Sequence, residues 1–183
     1  NLVTMRWFND VWLNEVFASY MADLIVNPQY PDINHNLNFL LSHFPRAYSV
    51  DRTQGANPIV QNLDNLLFAG TLYGDIIYHK APIMMQQLVL QMGEKKFQLA
   101  VREYLQKFSM GNATWGDLVE ILDKHSDIDL RKWSEGWTQE TGRPAIRFSK
   151  QTEEILVAKP NGNVKVPPMQ LEIANQQPDT FFI

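Results

Sequence analysis

The chain has 183 residues, enough for one ordinary domain and part of another. Its content, 45% hydrophobic and 20% charged, is that of a globular protein, and a net charge of −4 with no block of one sign points away from nucleic acid and anionic membrane surfaces. The absence of cysteine excludes disulfides and thiolate metal sites, and no window approaches the ~18 consecutive apolar residues of a membrane span.

Up to about Thr141 the sequence reads as helices joined by polar turns. Val11 to Val26 is apolar almost all the way round, which predicts a buried helix, and Asn27-Pro28-Gln29-Tyr30-Pro31 ends it. Leu37 to Phe44 reads as a short helix, and Arg46 to Leu63, with Gly55, Asn57 and Pro58, as a loop. Pro82 to Met92 is a strong helix with Gly93 as its stop, and Glu94 to Phe108 is amphipathic. Thr114-Trp115-Gly116-Asp117 reads as a capping box opening a helix to about Lys124, and Asp129 caps another to about Trp137. The tryptophans Trp7, Trp12, Trp115, Trp133 and Trp137 are read as core.

After Gly142-Arg143-Pro144 the character changes. Ala145 to Ser149, Glu154 to Lys159 and Met169 to Ala174 read as strands. The expectation is a mainly α chain: a helical unit over 1–141, then the opening strands of a β-domain over 142–183. So few strands leave exposed edges that need a partner.

Within this layout Glu15 stands out, because a carboxylate in the middle of an apolar helix must be neutralised, paired or bound to a metal. Taken alone, a carboxylate satisfied by buried hydrogen bonds or an arginine is the commoner arrangement. The surrounding run, Trp12-Leu13-Asn14-Glu15-Val16-Phe17-Ala18, resembles the second metal-binding motif of the aminopeptidase N-like zinc aminopeptidases of the gluzincin clan. Asn1 to Asp10 is similar to the linker that precedes it. In that family a His-Glu-x-x-His helix supplies two zinc ligands, and the glutamate about eighteen residues further on supplies the third. The resemblance implies that Glu15 is a zinc ligand and that the histidine pair lies upstream of Asn1. It implies a thermolysin-like catalytic domain, represented by its C-terminal part, followed by a truncated β-sandwich. Val16 departs from the family's glycine and is expected to narrow the site. Asn9, Asp10 and Asn14 match the motif, either supporting the metal site or, for Asn9 and Asp10, capping the helix.

Ile76-Ile77-Tyr78-His79-Lys80-Ala81-Pro82 resembles the family's Tyr-x-Lys-Gly segment, with Ala81 for glycine. There the tyrosine hydroxyl donates to the oxyanion of the tetrahedral intermediate, which makes Tyr78 the candidate catalytic residue. On its own Tyr78 reads as a core tyrosine bonded to backbone, and Tyr73 is a weaker competitor. His79 reads as exposed or structural, Lys80 as a local structural charge, and His35, His43 and His125 receive no ligand role.

The family's His-Glu-x-x-His and its Gly-x-Met-Glu-Asn segment, which binds the substrate's α-amino group, are both absent from this sequence. One carboxylate cannot retain zinc in an open site, where three protein ligands are the norm. The expectation is therefore a zinc aminopeptidase releasing N-terminal residues from peptide substrates in the intact parent, with this fragment alone inactive and not retaining zinc. The apolar face left by the missing helix is expected to drive self-association. The alternative is a catalytically dead, peptidase-derived scaffold or protein-interaction module.

Overall fold

The computed structural model describes residues 2–63, 65, 67 and 74–142, and the backbone of 146–150, 156–160, 174–177 and 180–182. The described part is mainly helical. Six α-helices follow one another: α1 (Val11–Val26), α2 (His35–Asp51), α3 (Ala81–Met92), α4 (Glu94–Lys107), α5 (Trp115–Lys124) and α6 (Leu130–Thr138). Trp12, Leu13 and Val16 of α1, Met84 and Leu88 of α3 and Leu118 of α5 are buried in one core.

Most helix ends fall where their sequence signals lie. Gly93 separates α3 from α4 at φ 79°, a backbone angle that L side chains rarely adopt. The Thr114 hydroxyl accepts from the Asp117 amide at 3.1 Å, and the Asp117 carboxylate accepts from the Thr114 amide at 2.8 Å, closing the capping box of α5. Asp129 accepts from the Lys132 amide at 3.0 Å to start α6.

Two expectations need correction. The segment after Phe44 is not a loop from Arg46: α2 continues through Pro45 to Asp51. Proline removes one helical hydrogen bond, but Ala47 is buried and Asp51 is held by an ion pair, so tertiary contacts carry the helix past it. Nor is the part before Thr141 purely helical. Strands β1 (Val3–Met5) and β2 (Gly111–Ala113) pair in parallel with Val3 opposite Gly111 and Met5 opposite Ala113. The turn into β2 places Met110 at φ 59°, and its amide donates to the Leu2 carbonyl at 2.7 Å.

Burial also differs from the all-round apolar reading of α1. Leu24, Ile25 and Val26 are exposed, and so is Trp7, whereas Trp12, Trp115, Trp133 and Trp137 are core as read. Beyond residue 145, β3 (Ile146–Lys150) pairs antiparallel with β4 (Leu156–Pro160), and β5 (Ala174–Gln177) with β6 (Thr180–Phe182). The strand expected over 169–174 lies, but for its last residue, outside the described residues. No helix among the described residues is long and apolar enough to cross a membrane.

Candidate active site

Glu15 sits in the second turn of α1, half-buried, and its carboxylate has no hydrogen bond or ion pair with another described residue. The next residue, Val16, is only 1% exposed and packs into the core. Asn9 and Asp10 do not cap α1 with their side chains. Asn9 instead accepts from the Leu63 amide at 3.2 Å and ties the approach of α1 to the segment before residue 64. Burial pushes the Asp10 carboxyl up, opposed by a hydrogen bond from the Trp115 backbone and reinforced by nearby Asp117.

Tyr78 lies on a wide, π-type turn, Ile76–Lys80, that runs directly into α3; the Ala81 amide reaches back to the Ile76 carbonyl. Such one-turn expansions are frequent at functional sites. Here the turn sends Ile76, Ile77 and Lys80 inward while Tyr78 stays 43% exposed, so Tyr78 is not a core tyrosine. The same turn packs against both α1 and α2, which brings the element bearing Tyr78 alongside the helix bearing Glu15. Tyr73 lies outside the described residues.

Lys80 explains how the turn is anchored. Its ammonium is buried and donates to both Asp51 carboxylate oxygens, at 3.0 and 2.8 Å, and to the Gly142 carbonyl at 2.9 Å. A buried ammonium requires this degree of pairing. Gly142 has φ 83°, and a Cβ there would meet the Asp51 carbonyl oxygen at 3.7 Å.

The outer side of the turn meets α2 through two histidines that sequence reasoning left unconnected. His43 Nδ1 and His79 Nδ1 are 3.1 Å apart, and Phe39 packs on the His43 ring with centroids 4.5 Å apart. His79 Nε2 lies 3.6 Å from Asp75 Oδ1 and 3.5 Å from the Arg46 guanidinium. The i,i+4 spacing of Asp75 and His79 was a readable signal, but the His43 contact joins residues 36 apart and leaves no trace in local pattern. Burial, then the neighbouring His79, hold His43 below the usual histidine range; burial also lowers His79, opposed by Asp75 and helped by Arg46. The remaining histidines have local roles: His35 bonds the Tyr30 carbonyl at 2.8 Å, and His125 pairs with Glu103 at 2.8 Å.

Among the described residues, no group of three or more His, Asp or Glu side chains is placed to hold a metal ion. Glu15 fits one position of such a site, since an unpartnered carboxylate is a suitable zinc donor.

Residues 1–137 match the peptidase family M1 domain. The chain belongs to this family. Among curated relatives, the M1 chain is 32% identical over 153 residues to a puromycin-sensitive aminopeptidase of Caenorhabditis elegans, covering 84% of this chain and 16% of the relative. It is 30% identical over 155 residues to a leucyl aminopeptidase of Saccharolobus solfataricus, covering 85% and 20%. An aminopeptidase N of Streptomyces lividans is 31% identical over 156 residues, covering 84% and 18%. The M1 chain thus spans about a sixth to a fifth of the length of these relatives.

Proposed function

We propose that this chain contributes Glu15 as a zinc ligand and Tyr78 as an oxyanion donor to an aminopeptidase that releases N-terminal residues from peptides. The observation that carries the reading is the half-buried, unpartnered carboxylate of Glu15, on a helix packed against the turn that exposes Tyr78. Membership of peptidase family M1 supplies the reaction class.

Zinc, when bound, supplies Lewis acidity toward the scissile carbonyl. Glu15 holds one coordination position, and two further ligands come from outside this sequence. The Tyr78 hydroxyl donates to the carbonyl oxygen as it gains charge, a bond that strengthens on the way to the transition state. Residues 1–141 form part of the catalytic domain and 142–183 begin a β-domain. The chain alone is inactive and retains no zinc, because one carboxylate cannot replace three ligands. Alone, it also self-associates through exposed apolar side chains of α1 and α2.

The test is hydrolysis of an aminoacyl-arylamide, with zinc content, by the full-length protein that carries this chain. Glu15→Ala is expected to lose both activity and zinc. Tyr78→Phe should keep its zinc and its KM while kcat falls by about 10²–10³. A zinc-free, inactive full-length protein would overturn the reading in favour of a scaffold.

A further inference from the structure

We propose that His43 is a positioning residue for Tyr78: it clamps the wide turn Ile76–Lys80 to α2 in a contact that two protonated imidazoles cannot make. The inference rests on the reading of Tyr78 as the oxyanion donor.

The geometry is specific. At 3.1 Å the two Nδ1 atoms form a hydrogen bond only if one carries a proton and the other a lone pair. The His43–His79 contact joins α2 to the residue that follows Tyr78 in the turn, and the Tyr78 backbone favours a proton on His43. Phe39 packs on the His43 ring and limits its freedom to swing away. Tyr78 itself is exposed, next to the residue that His43 holds.

The groups around the pair leave its own protons in control. Asp75, just before the turn, and Arg46, on α2, approach the same atom, His79 Nε2, at 3.6 and 3.5 Å with opposite charges. From α1, Asp23 favours a proton on His43. Lys80 and Asp51 neutralise one another. Burial lowers both histidines, so the hydrogen-bonded state prevails at neutral pH. As pH falls below the usual histidine range, the first proton taken up leaves the bond in place, because an imidazolium still donates to the other ring's lone pair; the second makes both rings cations and both Nδ1 atoms donors. The bond is then lost and two cations face each other. Lys80 still anchors the other side, so the turn stays folded while Tyr78 loses its register. Sub-ångström to ångström shifts of a group that must meet the transition state are enough to cost up to about 10²-fold in rate.

The experiment replaces Tyr78 by 3-fluorotyrosine in the full-length protein and follows its 19F resonance between about pH 5 and 8, beside the pH profile of kcat. In the native protein the resonance is expected to move with a midpoint below about 6.5, matched by an acid limb in kcat. His43→Ala should lower kcat at neutral pH by about tenfold with KM little changed. His43→Asn keeps a neutral donor and acceptor near the Nδ1 position; it should restore much of that loss and shrink the 19F titration to the response of His79 alone, with a matching loss from the acid limb. A 19F resonance that stays flat in the native protein, or that titrates unchanged in His43→Asn, overturns the clamp. If instead the resonance follows the pair but Tyr78→Phe leaves kcat intact, the clamp stands and the oxyanion role of Tyr78 fails.

Discussion

Lys80 and Glu15 show how differently two charges inside a helical unit are treated. Lys80 has three oxygen acceptors within 3.0 Å and is sealed from water; Glu15 has no described partner and is half-open. The first arrangement is structural. Removing one partner of a buried pair strands the other, at about 3–5 kcal/mol, whereas replacing both by apolar groups is often near neutral. Lys80→Met is therefore expected to lower the unfolding free energy by about that amount, and Lys80→Met with Asp51→Leu to recover most of it. Urea denaturation of the native protein and both variants decides the point: a single variant as stable as the native protein would remove the anchor. At this scale the sequence was informative where a residue contradicted its surroundings, as Glu15 does in an apolar helix. It was silent where the partner is remote. Asp51 lies 29 residues from Lys80, in a segment read as loop, and no local pattern announces the pair.

Helices were legible where their ends carry chemistry and illegible where packing sets their course. The Thr114–Asp117 box was readable because its two reciprocal hydrogen bonds require those residue types at that spacing. Thr114→Ala leaves the Asp117 amide without its acceptor and should cost about 1 kcal/mol, with Thr114→Ser close to native, as checked by thermal unfolding. The pH dependence has a definite sign. Burial pushes the Asp117 carboxyl up, but hydrogen bonds from the Thr114 hydroxyl and amide, with Arg6 and Lys107, hold it below its usual 3.8. Its contribution is thus full above pH 3.8 and lost as pH falls through the lowered range. In Thr114→Ala this acid-limb loss should shrink. By contrast, α2 runs through Pro45, which local rules read as a boundary, and the wide turn before α3 has no periodicity of its own. The pairing of β1 with β2 joins segments more than a hundred residues apart, and three-residue strands are too short to show alternation.

For the whole molecule, the apolar residues that the helical pattern places inside but the structure leaves outside matter most. Leu24, Ile25 and Val26 end α1 in the open, Ile33 follows, and Leu37, Leu40 and Leu41 form an exposed i, i+3, i+4 face on α2. Where these two helices meet the end of α3 lies a cavity of about 310 Å³ lined by Leu24, His35, Phe39 and Val89 among others. Globular monomers rarely expose contiguous apolar patches beyond a few hundred Å², and larger ones mark interaction surfaces. The 183-residue chain on its own should therefore associate with itself, with sedimentation velocity showing larger species as concentration rises. Ile25→Lys with Leu41→Glu places charges on both helices, at positions 65% and 61% exposed, where the fold pays little for them. That double variant should shift the distribution toward monomer without lowering thermal stability. A chain that sediments as a clean monomer at high concentration would show that this face is tolerated by water. Association that survives the charges would move the contact elsewhere, with the strand edges that have no partner among the described residues, in β3–β4 and β5–β6, next in line.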